Sequence, residues 1–271
     1  MIVDKLKKEY MLPCALKSRL SVGLLLVAVL MTSCGSKQKA YQIVSLSGSR
    51  EAMSEKYEKD ADKEMGLFVG HYKVKFDEQM KVQVATSDQD MAKGKPESLL
   101  TNFTSDQMKH YADGYTHGHC DLAVMNVHGH RADLPKGVVT LENMYEIYSF
   151  DNKLVILKLK GSDLTKIFES YIRIGGAGIS SNVRLVGIGE ELKSALVDGR
   201  PVYPDKEYTI VTLDYLADGN DGMADFRKAI SLEKTGITLR DMMIEYVKSL
   251  AKEGKSLRSV LDGRIIISNP V

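Results

Sequence analysis

Residues 209–226 constrain this chain more than any other stretch. They follow Tyr208 as a β-branched, alternating run, Thr-Ile-Val-Thr-Leu213, which is a strand signal. The run stops at Asp214-Tyr215 and enters Asp218-Gly-Asn-Asp-Gly222. Glycines permit positive φ there, and Asn and Asp tolerate the same backbone. A strand therefore delivers an aromatic ring, Tyr215, and a carboxylate, Asp221, on a tight turn. A ring beside a carboxylate suits a ligand with a flat ring and a diol, as a nucleoside has. The alternative is a strand leading to a helix N-terminus, with Asp221 as a local cap.

The surroundings are those of an ordinary globular domain. The 271 residues are 44% hydrophobic and 27% charged, enough for one large core or two small ones. Lys and Arg exceed Asp and Glu by one, so no global field favours a nucleic-acid polymer. Any nucleotide recognition must come from a local site.

The first 33 residues read as an export signal. Lys17 and Arg19 precede an apolar run over residues 22–31, with no charge between Arg19 and Cys34. Leu30-Met-Thr-Ser-Cys34 is similar to a lipobox, with Cys34 as the lipidated residue. Met11 gives a more typical signal length than Met1, and ordinary cleavage near Ser33 is the competing reading. Residues 34–40 form a polar tether and residues 41–271 a single domain. The expected location is a bacterial membrane, by lipid anchor, facing the periplasm or the cell surface. Of three cysteines, Cys14 leaves with the signal and Cys34 takes the lipid, so Cys120 has no disulfide partner.

Along the mature chain the spacing predicts a strand at 42–46, then a polar helix, and a hairpin over 69–84 with its turn at Asp77-Glu78. An amphipathic helix follows over 97–115, then a strand at 121–126 and a loop Val127-His-Gly-His-Arg131. Thr140 caps a short helix through Tyr148; residues 153–160 are a strand and 161–173 a helix. After the glycines at 175–178 come strands at 183–188, either side of Asp198-Gly199, and at 264–267. Thr238-Leu-Arg-Asp241 has capping-box spacing before another helix. Helices and strands mix without a βαβ repeat, so the fold class is α+β, a layered α/β domain with mixed sheets.

Four stretches in order resemble the C-terminal domain of the 5′-nucleotidase and UDP-sugar hydrolase family. They are Glu97-Ser-Leu-Leu-Thr-Asn102 with Asp106; Asn126-Val-His-Gly-His-Arg131; Tyr145-Glu-Ile-Tyr-Ser-Phe150-Asp-Asn152 with the strand after it; and residues 208–222. The resemblance implies a nucleotide-binding site. Phe150 and Tyr215 match the aromatics that sandwich the base, Asp221 the ribose-binding aspartate, and Asn126 and Arg131 the glycine-loop pair; Asn152 joins this set. It also implies that hydrolysis belongs to a metallophosphatase with two metal ions. The Asp-x-His and Gly-Asn-His-Asp/Glu signatures of that unit do not occur in these residues. The expectation is the binding half of a split 5′-nucleotidase, not catalytic alone and holding no cofactor of its own, with divalent metals on a separate metallophosphatase chain. A stand-alone nucleoside- or nucleotide-binding lipoprotein is the alternative.

The departures fall on the phosphate side. His128 replaces the first of two family glycines, and Gly94 stands where an arginine is expected, with Lys93 and Lys95 as substitutes. Tyr215 replaces a more usual phenylalanine and Asn220 a glycine. His117, His119, Cys120, His128 and His130 lie within fourteen residues, which raises a third reading, an independent metal-dependent hydrolase. Their spacing matches no closed zinc site. Surface or pocket-lining histidines are the plainer reading, with His128 or His130 against phosphate.

Overall fold

A computed structural model describes residues 43–52, 54–118 and 120–269. The signal, Cys34 and the tether, Gln42 and His119 lie outside these. The chain divides into two units, Met1–Ala61 and Asp62–Val271. In the first, residues 43–46 form no strand, and Ile43, Val44 and Leu46 are exposed. The polar helix expected next is a short 3-10 helix, Glu55–Asp60.

The second unit opens with helix α1, Lys63–Met80, where the alternation predicts a hairpin. Met65, Phe68, Val69, Tyr72 and Phe76 are spaced by three or four residues, so the apolar set fits a helix as well. Asp62 settles the start by accepting from the amides of Glu64 and Met65 at 3.0 and 3.1 Å. Lys73 and Asp77 pair one turn apart. Strand β1, Gln83–Ser87, finds its partner far along the chain, in β3, Gly137–Thr140.

The other sequence-predicted elements form close to their expected places. Helix α2, Leu99–Tyr115, starts on a capping box between Ser98 and Thr101. Strand β2, Leu122–Met125, precedes a 3-10 turn, Val127–Gly129. Thr140 caps α3, Leu141–Ile147, whose Asn143 returns the bond. Strand β4, Lys153–Lys160, runs into α4, Gly161–Arg173. Strands β5, Gly178–Ile179, β6, Val183–Ile188, β7, Glu191–Val197, and β8, Arg200–Pro201, lead to β9, Glu207–Leu213. The chain then passes through α5, Asp214–Ala217, a 3-10 turn, Ala224–Lys228, strand β10, Ser231–Thr238, helix α6, Leu239–Lys252, and strand β11, Ile265–Ser268.

Two larger sheets result, ordered β10-β4-β9-β2-β5 and β11-β6-β7-β8. Both are mixed: β2 runs parallel to β9 and β11 to β6, while the other pairs are antiparallel. This is the expected α+β class. β9, the strand that opens the constraining stretch, is the middle of the five. Its Ile210, Val211 and Leu213 are fully buried, as are Leu154, Val155, Leu157 and Leu159 of β4 beside it. Near-continuous apolar runs are what strands covered on both faces require. On α4, Leu164, Ile167, Phe168, Tyr171 and Ile172 make one buried stripe. Among the described residues no helix is long and apolar enough to cross a membrane.

Candidate functional site

The C-terminal ends of the parallel strands β2 and β9 lie side by side, and the turns that leave them form one cleft. From β2 comes Asn126, the N-cap of the 3-10 turn. The strand end is pinned by two hydroxyls: Thr212 donates to the Val124 carbonyl at 2.9 Å and Tyr171 to that of Met125 at 3.0 Å. Asn126 Nδ2 donates to Asp221 Oδ2 at 2.7 Å. Its Oδ1 is buried and has no hydrogen-bond partner among the described residues. Gly129 is required behind it, because a Cβ there would sit 2.8 Å from that oxygen.

From β9 come Tyr215 and Asp221. Asp214 Oδ1 accepts from the amides of Lys153 and Tyr215 at 3.1 and 2.8 Å, tying α5 to the start of β4. Asn220 Nδ2 donates to the Tyr215 carbonyl at 2.7 Å. Asp221 sits at φ 53°, a left-handed conformation between Gly219 and Gly222. Tyr215 Oη donates to Asp221 Oδ1 at 2.9 Å, and this bond to a carboxylate raises the phenol's pKa.

The remaining wall comes from the α3–β4 connection. Phe150 is 47% exposed and Tyr215 39%, so both rings keep a face open to the cleft they line. The Arg131 guanidinium lies 5.7 Å from the Phe150 ring centroid, a cation–π contact. Asn126, Arg131, Phe150, Asn152, Tyr215 and Asp221 thus all line one cavity of about 270 Å³, together with His128 and Gly129. The six residues singled out in the sequence are brought together. A larger groove of about 900 Å³, lined by Lys109, Asp113, Cys120, Asp121, Lys158 and Glu233 among others, contains none of them. Size is a weaker guide here than the convergence of rings and hydrogen-bonding groups.

The histidines separate. His128 is exposed and lines the cleft. His130 is fully buried, so it is not placed against a phosphate; it shares a 2.8 Å hydrogen bond with Thr104 Oγ1, which also meets Tyr148 Oη at 2.8 Å. Burial pulls its pKa down to about 4. Cys120 precedes β2, at the opposite end from His128, and burial pushes its thiol up to about 11. Among the described residues, no three His, Cys, Asp or Glu side chains converge to hold a metal ion.

The lysines offered in place of the missing arginine are committed elsewhere. Lys93 Nζ donates to the carbonyls of His130 and Arg131 at 3.0 and 3.1 Å, and Lys95 Nζ to that of Ile174. The first family-like stretch is scaffold. Glu97 accepts from the Gly263 amide at 2.9 Å and from Asn102 Nδ2 at 3.0 Å. Asp106 receives both terminal nitrogens of the buried Arg264, at 3.0 and 3.1 Å.

The comparisons with known proteins bear on the family and the fold. The family model described as 5′-nucleotidase, C-terminal domain, matches residues 79–228. The protein UshA of Yersinia enterocolitica is 28% identical over 132 residues, covering 47% of this chain and 24% of that protein. The NAD 5′-nucleotidase of Haemophilus influenzae is 29% identical over 151 residues, covering 48% and 24%. A 5′-nucleotidase precursor from Thermus thermophilus shares the fold, with a TM-score of 0.66 at 24% identity over 75% of this chain and 43% of that one. This chain spans about a quarter of the length of these two curated relatives. The chain belongs to the 5′-nucleotidase C-terminal domain family.

Proposed function

We propose that this chain is the nucleotide-binding half of a split 5′-nucleotidase, acting with a separate metallophosphatase chain in nucleotide hydrolysis. The observation that carries the reading is the cleft, where two exposed rings, a carboxylate and an unpartnered buried amide oxygen meet. Bases stack on aromatic faces with little regard to base identity, at about 1–3 kcal/mol per base. A cavity of about 270 Å³ is at the small end for a ligand site, which suits a base and its sugar more than a whole nucleotide. The phosphate then points outward, where a second chain brings two metals to activate water and clamp the reacting oxygens. The Haemophilus and Thermus relatives are named as nucleotidases, and the matched segment covers 24% of the one and 43% of the other.

A stand-alone binder is the second reading, favoured by the tethered Lys93 and Lys95, which leave few cations for a phosphate. The two differ in whether a metallophosphatase chain co-purifies with this one. Both require the cleft, which calorimetry with adenosine tests directly. Phe150→Ala weakens binding by about 1–3 kcal/mol; an unchanged affinity would mean that the ring only packs.

The anchor is also a proposal: Cys34 carries lipid and holds the domain at a bacterial membrane. Its support is the charge-free run ending in Leu30-Met-Thr-Ser-Cys34. Cys34→Ser abolishes metabolic lipid labelling if this is right, and labelling that persists refutes it.

A further inference from the structure

An ionised carboxylate offers about four acceptor sites, two on each oxygen. On Asp221 two are already filled, Oδ2 by Asn126 Nδ2 at 2.7 Å and Oδ1 by Tyr215 Oη at 2.9 Å. One site stays open on each oxygen, on an exposed side chain at the wall of the cleft. Neighbouring acceptors on one carboxylate match the neighbouring hydroxyls of a cis-diol.

Asp221 has φ 53°, a left-handed conformation that Asp tolerates better than most non-glycine residues. Its side chain is fixed by the two donors. Tyr215 is itself held at its amide by Asp214, at 2.8 Å, and at its carbonyl by Asn220, at 2.7 Å. Its hydroxyl therefore reaches across the turn from a set position. A phenylalanine would keep the ring and leave Oδ1 without its donor.

We propose that Tyr215 is a positioning residue for sugar recognition: its ring lines the base slot while its hydroxyl sets Asp221 as a two-point acceptor for a ribose cis-diol. The inference rests on the nucleoside reading of the cleft and adds to it a role for the Tyr215 hydroxyl in setting the sugar-binding carboxylate.

The experiment is calorimetric titration of the wild-type chain and Tyr215→Phe with adenosine, 2′-deoxyadenosine and 2′,3′-dideoxyadenosine, with thermal melts as the folding control. The expected result is that Tyr215→Phe lowers adenosine affinity about tenfold, the worth of one hydrogen bond to a charged group. The same variant binds the dideoxynucleoside within about twofold of wild type, so the ribo-to-dideoxy ratio collapses. An unchanged ratio overturns the proposal, whether both affinities stay constant or fall together. If the wild-type chain binds none of the three, the nucleoside reading of the cleft fails and this inference with it.

Discussion

Asn126 Nδ2 and Asp221 Oδ2 lie 2.7 Å apart although 95 positions separate them in the chain. The bond joins the turn after β2 to the turn after β9, and only the parallel pairing of those strands brings the two together. Open α/β sheets commonly bind ligands beyond the carboxyl ends of adjacent parallel strands. Here the same ends carry an amide that donates inward and a carboxylate that accepts.

The first prediction follows from that pair. Asn126→Ala removes a donor from Asp221 and lowers adenosine affinity about tenfold, by the usual worth of a bond to a charged group. Asn126→Asp places two carboxylates at hydrogen-bond distance, so its loss is larger than that of the alanine variant. Calorimetry on both variants gives the ordering. If Asn126→Asp binds as well as Asn126→Ala, the two side chains do not meet in solution.

The second prediction concerns stability against pH. His130 is buried beside Thr104 and Tyr148, and its pKa is depressed to about 4 by that burial. The unfolded chain takes up this proton near pH 6.5, the folded chain only near 4, so protons favour the unfolded state between them. The contribution is complete above about pH 6.5 and falls away as pH drops toward 4, by up to roughly 3 kcal/mol. His130→Leu has no such proton to take up. Thermal melts at pH 7 and pH 4.5 compared between the two proteins isolate the effect. A wild-type melting temperature no more acid-sensitive than the variant's would exclude it.

These features differ in how far the sequence announced them. Strand β9 was legible because its alternation is β-branched and its end is marked by Asp-Gly-Asn-Asp-Gly. Helix α3 was legible because Thr140 and Asn143 stand at capping distance. The stretch that became α1 satisfied two periods at once, and the Asp62 cap and the Lys73–Asp77 pair go with the helix. Strand β10 went unread because it lies at the sheet edge, where Ser231, Glu233 and Lys234 face water and no apolar pattern is needed. The opposite fates of His128 and His130 were hidden too, since they depend on a 3-10 turn that turns one outward and buries the other. Nothing local marked Lys93 and Lys95 as tethered, because their carbonyl partners come from distant loops.

The third prediction uses those tethers. With both lysines bound to carbonyls, Arg131 and His128 are the basic side chains that line the cleft. A guanidinium can fork onto phosphate oxygens, but this one also lies over the Phe150 ring. AMP therefore binds within about tenfold of adenosine, the worth of one charged contact. Its affinity falls only shallowly between low and physiological salt. Arg131→Gln brings the two ligands closer together still. A preference for AMP of several hundredfold would show that other cations reach the phosphate.

The last prediction is that this chain alone does not hydrolyse AMP at an enzymatic rate. Phosphomonoester hydrolysis is among the slowest reactions in water, so catalysis must lower a very large barrier. In the proposed site, stacking on Phe150 and Tyr215 and bonds to Asp221 act on parts of the ligand that do not react. They hold ground state and transition state alike, which lowers KM without raising kcat. Added to a metallophosphatase partner, the chain should therefore lower the KM for AMP while leaving that for p-nitrophenyl phosphate, which has no base or ribose, nearly unchanged. Phe150→Ala in this chain should remove the advantage and leave kcat intact. The assay is phosphate release from both substrates with each chain separately and together, with Zn²⁺, Mn²⁺ or Mg²⁺ supplied. Sustained turnover of AMP by this chain alone, lost when His117, His119 and His128 are replaced, would overturn the split arrangement in favour of an independent hydrolase.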